Sequence, residues 1–370
     1  MSGRSIIPEP VALLAWRALL PVLGLGCFGL VVLYSAAGGS LHPWALSQGV
    51  KFFAFLGGAV ILSYAPLDWF KRLAFPGYAA LLIALLLVEM LGAVRGGSQR
   101  WLDLGFIRLQ PSELMKLAAV LACARFYDLL PPAESRSFGA IWPPAILIGL
   151  PAALVMLQPD LGTALMIVAG GLTVMFLAGI PLRLFIGGAA AAAIAIPLAF
   201  TFLLHDYQKN RILIFLDPES DPLGTGYHIS QSKIAIGSGG LFGKGFGNGT
   251  QNHLDYLPEG HTDFVFATMA EEWGLIGGCL VIAAFLLVIR WGLDVARAAP
   301  TRFARLTAAG LSATIFFYVA INLMMVMGLA PVVGIPLPLV SFGGSAQMTV
   351  LLCLGILMAI DRTNRSKANW

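Results

Sequence analysis

The chain has 370 residues, of which 58% are hydrophobic and 11% are charged, with a formal net charge of +4 and a mean hydropathy of +0.84. A soluble domain carries roughly 25% charged residues, so this composition excludes an ordinary soluble protein and indicates a polytopic membrane protein. The four cysteines all lie within apolar runs, which excludes a secreted disulfide framework and a cysteine-based metal site.

About ten apolar runs are long enough to cross a membrane, because a helix needs about 20 apolar residues to span the hydrocarbon core. They lie near 15–36, 48–65, 73–93, 111–130, 141–158, 161–180, 182–204, 262–289, 306–329 and 340–360. We therefore predict an all-α polytopic membrane protein with about ten transmembrane helices, forming a single domain over residues 1–370.

The distribution of Lys and Arg predicts the orientation of these helices, since cytoplasmic loops carry an excess of both. Most of the 23 basic residues fall in cytoplasmic segments when both termini are placed inside. The large polar loop 205–261, between the seventh and eighth runs, then lies on the extracytoplasmic face together with all five histidines.

A glycine-rich stretch between Gly226 and Gly278 leads from this loop into the eighth run. Asp263 lies at the junction, and a carboxylate at bilayer depth costs roughly 2.5 kcal/mol or more, so it marks a candidate functional site. Two compatible roles fit this position. Thr262 or Asp263 caps the helix N-terminus, or Asp263 acts as a general base that the helix dipole keeps ionised.

Four further carboxylates lie close to Asp263 in sequence. Asp255 and Glu259 are typical of a solvated loop. Glu271 and Glu272 lie about two turns inside the helix, where two adjacent acids cannot both face lipid cheaply. A structural ion-pair or hydrogen-bond network and a substrate role are both consistent with them. The loop glycines lack the strand–helix context of a phosphate-binding loop, and we expect them to let the loop lie flat against a ligand or the membrane.

A second group of charges lies in R-L-Q-P-S-E-L-M-K, residues 108–116. Pro111 suits the first turn of a helix, which places Glu113 and Lys116 one turn apart on one face. The pair can neutralise itself within the membrane. Alternatively, Arg108 and Lys116 offer cations to an anionic lipid phosphate.

Three other polar features complete the candidate site. Asp160 precedes an apolar run and is predicted to cap its helix. Prolines and glycines break the helix between 322 and 345, so that Asn322, Ser341 and Ser345 would line a buried cavity. Lys233 belongs to residues 229–239, which are predicted to form a short amphipathic helix on the membrane.

At these motifs the chain resembles the SEDS family of polytopic membrane proteins. The matching stretches are residues 108–116, 158–163, 231–251, 261–264 with 270–272, and 331–345, in the order of the family, and the resemblance covers residues 15–362. Ala346, the compact N-terminus and the length favour the RodA branch over the FtsW branch. Phe342 departs from the family, which usually has Tyr there.

The resemblance implies a peptidoglycan glycosyltransferase that polymerises lipid II at the periplasmic face of the bacterial inner membrane during cell elongation. It implies Asp263 as the catalytic residue. The substrate-binding candidates are Arg108, Glu113, Lys116, Lys233, Asp255, Ser341 and Ser345. The implied partners are a class B penicillin-binding protein around spans eight and nine, MreC and MreD, with no nucleic acid. A divalent cation, Mg²⁺ or Mn²⁺, is a candidate cofactor for which the sequence contains no ligand set.

Three alternatives stay open at this point. A lipid II flippase or transporter would use the broken tenth span as a translocation path. It would need polar cavities on both faces, whereas the long polar loops are all predicted outside. A scaffold for the transpeptidase would not depend on Asp263. An FtsW-type division polymerase would share the chemistry.

Overall fold

The computed structural model describes residues 14–368 except for 92, 96–97, 104–107, 132–133, 135–136, 203–208, 210–212, 216, 218–220, 222–223, 255 and 258. In chain order the helices are α1 (Trp16–Ala36), α2 (Ala45–Leu62), α3 (Leu67–Leu91), α4 (Pro111–Leu129), α5 (Trp142–Leu157), α6 (Leu161–Leu177), α7 (Leu182–Phe202), α8 (Thr225–Ser238), α9 (Thr250–His253), α10 (Val265–Ala298), α11 (Arg302–Val326) and α12 (Gly344–Ala368). A single 3₁₀ turn, Phe138–Ala140, precedes α5.

A long helix lies at each of the ten predicted positions, which confirms an all-α polytopic membrane protein. Seven of these helices, namely α1, α2, α3, α5, α10, α11 and α12, are long and apolar enough to cross a membrane within the described residues. Two others, α6 and the first part of α7, are apolar but shorter. The helix α4 carries buried Glu113 and Lys116. The number of crossings therefore stays a prediction.

The centre of the bundle is formed by α4, whose buried residues occupy every side of the helix, and by α11, which is buried except along one side that includes Phe316. A helix that is buried all round belongs to the interior of a large protein. By contrast, α2 and α3 expose large apolar side chains, among them Ile61 (75%) and Met90 (78%). Such side chains suit contact with lipid tails, so these two helices belong to the periphery.

A small antiparallel sheet, for which the sequence analysis gave no indication, occupies the polar segment before α4. Its strands are β1 (Ala93–Arg95), β2 (Ser98–Asp103) and β3 (Arg108–Leu109), in the order β1-β2-β3. In the second pairing Leu102 lies opposite Leu109 and Asp103 opposite Arg108. The sheet therefore delivers the chain directly to the first turn of α4.

The helix α10 is broken at Gly274, where φ is 65° and ψ is −163°. Residues 239–249, here called the glycine loop, supply the hydrogen bonds that the break removes. Lys244 N and Gly245 N donate to the carbonyls of Glu271 (2.9 Å) and Glu272 (3.0 Å), and Leu275 N donates to Gly240 O (2.9 Å). Backbone groups at membrane depth need partners within the protein, so loop and helix complete each other.

The glycines of this loop are required by close backbone contact. A Cβ added to Gly243 would overlap the carbonyl of Glu272, and one added to Gly274 would overlap the amide of Gly243. Both residues also have positive φ, which glycine adopts without steric cost. The expectation that the loop lies flat against a ligand or the membrane is therefore wrong at these positions, because it lies against α10.

The two acids beside the break form the structural network that the sequence left open. Glu271 is fully buried. It accepts from Lys244 Nζ (2.5 Å) and from Thr250 N (3.0 Å) at the start of α9. Glu272 accepts from Ser35 Oγ on α1 (2.5 Å). These carboxylates tie the glycine loop and α1 to α10.

We predict that Gly243→Ala lowers the thermal midpoint of unfolding in detergent. A side chain at positive φ costs on the order of 1–3 kcal/mol, and the overlap with Glu272 adds to that cost. The control is Gly237→Ala on α8, where a Cβ meets nothing within 4 Å and alanine favours the helix. Equal midpoints for the two variants would contradict the role of the glycine loop.

Candidate active site

Asp263 lies on the turn that precedes α10 and is half-buried. The N-cap residue of the helix is Phe264, and no side chain caps it. The prediction that Thr262 or Asp263 is the N-cap is therefore wrong. The N-cap is the residue after Asp263, because the first helical residue is Val265. Thr262 instead donates to Glu259 Oε2 (2.5 Å). The Asp263 carboxylate lies beside Gly334: a Cβ added to this glycine would be 3.6 Å from Asp263 Oδ2.

The fully buried amide of Asn322 fixes the position of Asp263. Its Nδ2 on α11 donates to the backbone carbonyl of Asp263 (2.9 Å) and to that of Ile335 (2.7 Å). One side chain thus joins the start of α10 to the non-helical segment between α11 and α12. The backbone of Asp263 is thus fixed beside that segment, and its carboxylate lies next to Gly334.

The non-helical segment 327–343 is stabilised by its own buried hydrogen bonds. Ser341 Oγ accepts from Leu337 N, and Ser341 N donates to Leu337 O, both at 2.8 Å. Gln48 on α2 donates from Nε2 to Ser341 O (2.8 Å). The part of the segment from Ile335 to Ser341 is therefore mostly buried in protein, as non-helical backbone at this depth must be, whereas Met327 and Leu329 are exposed.

Glu113, Lys116 and Tyr318 form a buried triad between α4 and α11. Lys116 Nζ donates to Glu113 Oε1 (2.6 Å) and to the Tyr318 hydroxyl (2.7 Å), and that hydroxyl donates to Glu113 Oε2. All three side chains are almost completely buried. The self-neutralising pair predicted from the sequence is therefore present, with a tyrosine as its third member.

A chain of polar contacts joins the starts of three helices on one wall of the site. Ser345 Oγ on α12 donates to Gln110 Oε1 (3.3 Å), and Gln110 Nε2 donates to Asp160 Oδ2 (3.3 Å). Asp160 also accepts from Thr163 N (3.1 Å), which confirms it as the N-cap of α6. Arg100 from β2 approaches the same carboxylate at 3.9 Å.

An aromatic group lies beside Asp263. His261 stacks on Trp44 with 4.0 Å between ring centroids and an interplanar angle of 13°. The His261 backbone carbonyl accepts from Phe342 N (2.9 Å). Lys51 Nζ lies 5.1 Å from the centre of the Phe342 ring. Burial lowers the pKa of His261 below its ordinary value of 6.5, although the charge of Glu259 opposes this.

The other predicted residues are less closely joined to Asp263 in the structure. Lys233 is an exposed residue on α8. Its side chain packs against Gly328, where an added Cβ would lie 2.9 Å from Lys233 Nζ. The backbone of Arg108 belongs to β3, two residues before Gln110, and Asp255 lies outside the described residues. Among the residues described, no group of three His, Cys, Asp or Glu side chains is placed to hold a metal ion.

Sequence reasoning did not single out Gln48, Lys51 or Tyr318. Gln48 and Lys51 are polar residues one turn apart in an apolar run, and this pattern could have marked α2 as facing the site. Tyr318 gave no such signal, because a tyrosine in an apolar helix is ordinary.

A sequence model of the FtsW, RodA and SpoVE family, described as a cell cycle protein, matches residues 16–366. The chain is 45% identical over 344 residues to the peptidoglycan glycosyltransferase MrdB of Escherichia coli strain K12, covering 92% of each chain. It is 38% identical to the MrdB of Helicobacter pylori strain ATCC 700392 / 26695, over 85% of this chain and 82% of that one.

Two solved structures are similar along nearly the whole chain. One is a chain of a peptidoglycan synthase complex that coordinates polymerization and crosslinking, with a TM-score of 0.82 and 32% identity over 95% of this chain and 98% of that one. The other is the rod shape determining protein RodA of Thermus thermophilus, with a TM-score of 0.72 and 30% identity over 95% and 97% of the two chains.

We predict that Lys116→Met destabilises the protein by about 3–5 kcal/mol, since it leaves the buried Glu113 charge without its cation. The double variant Glu113→Gln/Lys116→Met should recover most of this loss, and thermal unfolding in detergent measures both. As a control, Arg297→Met breaks an exposed ion pair with Asp294 and should change stability little. A double variant no more stable than Lys116→Met would contradict the coupling.

Acid should destabilise the Trp44–His261 stack. A lowered folded-state pKa means that the neutral imidazole contributes stability above its ordinary pKa of 6.5, and that this stability is lost as pH falls through the lower folded value. We expect His261→Phe, which keeps a ring but cannot titrate, to lose less thermal stability between pH 7.5 and pH 5 than wild type. His42→Phe, at an exposed position, is the control; equal losses in wild type and His261→Phe would refute this.

Proposed function

The chain belongs to the FtsW, RodA and SpoVE family, and we infer that it is a multi-pass membrane enzyme, a peptidoglycan glycosyltransferase of the RodA type. Beyond the likeness, the inference rests on half-buried Asp263: Asn322 holds its backbone carbonyl, and its carboxylate lies beside Gly334 in a non-helical segment. A base needs this combination of fixed position and open space next to the carboxylate.

We propose that Asp263 removes the proton from the 4-hydroxyl of the acceptor GlcNAc of lipid II. The oxygen then attacks the anomeric carbon of the donor MurNAc, and undecaprenyl diphosphate leaves from the opposite side. Attack opposite an α-linked leaving group inverts the anomeric centre and produces a β-1,4 bond. Gly334 supports this assignment, because any larger side chain would occupy the space beside the carboxylate.

The leaving diphosphate needs positive charge as its own charge develops. We assign this role to Arg108, beside the start of α4, and to Lys51, which lies close to Gly344. Lys116 acts differently in this proposal: its ammonium offsets the Glu113 carboxylate, which would otherwise repel the diphosphate. Ser345, Lys233 and Asp255 complete the proposed substrate contacts, whereas the buried Ser341 hydroxyl supports the site through its bond to Leu337 N. Among the described residues, no three His, Cys, Asp or Glu side chains are placed together to hold Mg²⁺ or Mn²⁺.

We propose that the enzyme lies in the bacterial inner membrane with Asp263 on the periplasmic side and both termini in the cytoplasm. The far end of α10 and the start of α11 support this orientation, since they carry Arg290, Arg297, Arg302 and Arg305, and basic residues favour the cytoplasm.

A class B penicillin-binding protein is the proposed partner along α10 and α11. Both helices expose large apolar side chains, including Leu280 (66%) and Phe316 (45%), and a similar solved chain belongs to a complex of polymerization and crosslinking. MreC and MreD are proposed as further members of the assembly on the family resemblance alone.

Asp263→Asn is predicted to reduce lipid II polymerisation by roughly 10²–10⁴-fold, the contribution of a general base, while the thermal midpoint stays close to wild type. The assay uses purified full-length protein with its transpeptidase partner blocked by a β-lactam, and glycan strands are resolved on gels. Asp294→Asn, an exposed acid at the other end of the same helix, is the matched control.

Wild-type lipid II polymerisation by Asp263→Asn would contradict the assignment of Asp263 as the general base. If wild type forms no glycan strands but transfers lipid II across the vesicle membrane, the protein is a flippase and not a polymerase. Activity lost equally in Asp294→Asn would show that the loss reflects charge or handling rather than the site.

A further inference from the structure

A groove opens between α1, α10 and α12 at the end of the bundle away from Asp263. Its volume is about 860 Å³, and its lining includes Trp16, Arg17, Arg290, Trp291, Asp361 and Arg365. Along α10 the groove begins at Leu287, up to roughly 33 Å from Val265, the first residue of the helix, at ~1.5 Å per residue. The hydrocarbon core is ~30 Å thick, so the groove belongs to the opposite membrane face and is separate from the candidate active site.

The groove has an excess of positive charge that the described residues do not neutralise. Its two acids are already paired, Asp361 with Arg365 and Asp294 with Arg297 at 3.0 Å. Arg17 and Arg290 are exposed and make no ion pair with any side chain in the described part of the chain. Two guanidinium groups of one groove are therefore left to bind an anion, and guanidinium groups bind phosphate well.

The remaining walls suit a lipid better than a soluble anion. Trp16 and Trp291 lie beside the arginines, and Trp is enriched where the hydrocarbon core meets the headgroups. Leu287, which is 55% exposed, continues the groove toward the membrane interior along α10. A ligand that fits has a phosphate at the arginines and an acyl chain along the leucine.

We propose that this groove binds an anionic phospholipid, with its headgroup phosphate between Arg17 and Arg290. Basic pockets between transmembrane helices are known to hold anionic headgroups. The bound lipid joins α1 to α10, so the site couples the first and eighth membrane helices through a lipid at the membrane face away from Asp263.

Native mass spectrometry of the full-length protein in detergent tests this proposal, with phosphatidylglycerol as the probe and phosphatidylcholine of the same acyl chains for comparison. We expect phosphatidylglycerol to bind at least tenfold more tightly, and Arg17→Gln/Arg290→Gln to bind it at least tenfold more weakly than wild type. The matched control is Arg72→Gln/Arg183→Gln, which removes two exposed arginines outside the groove and should bind like wild type. Arg17→Lys/Arg290→Lys should keep most of the binding.

Four results would overturn the proposal: equal binding of the two lipids, an equal loss in the control variant, unchanged binding in Arg17→Gln/Arg290→Gln, or displacement of the lipid by millimolar inorganic phosphate. The last result would identify a site for a free anion. Thermal midpoints without lipid establish that each variant is folded. If the glutamine variant is not folded, the single variants Arg17→Gln and Arg290→Gln are each expected to bind at least threefold more weakly.

Discussion

Backbone hydrogen bonding at membrane depth is the constraint on which this structure depends. A helix satisfies its own amides and carbonyls in hydrocarbon, and any interruption must find partners within the protein. The chain has two such interruptions near the candidate site, at Gly274 in α10 and between α11 and α12. The first is completed by the glycine loop, and the second by Ser341, Gln48 and Asn322.

The two repaired interruptions explain why the candidate base has a defined position. Asn322 binds the carbonyl of Asp263 and that of Ile335 at once, so the start of α10 cannot shift without disturbing the segment before α12. Buried charges obey the same requirement for a partner within the protein. Glu113, Glu271 and Asp160 are each buried with a cation or amide donor beside them, because an unpaired buried charge is costly.

Much of this arrangement could be predicted from the sequence, and the exceptions share a physical cause. Apolar length located the ten long helices, and local spacing found the Asp160 cap and the Glu113–Lys116 pair, which are interactions within three residues. Tyr318 lies 202 residues from Lys116 in the chain, and no local pattern reports such a contact. The break at Gly274 was not predicted for the same reason. It is stable because the distant glycine loop replaces the lost hydrogen bonds of the helix.

The break in α10 also makes the glycine loop the connection between the two parts of that helix. The glycine loop is bonded to both parts: Lys244 N and Gly245 N donate to carbonyls before Gly274, and the amides of residues 275 and 276 donate to carbonyls of the loop after it. The loop presents Leu241 and Phe242, which are 61% and 79% exposed. A neighbouring protein that contacted these two side chains would therefore act at the point where the two parts of α10 meet, nine residues along the helix from its start beside Asp263.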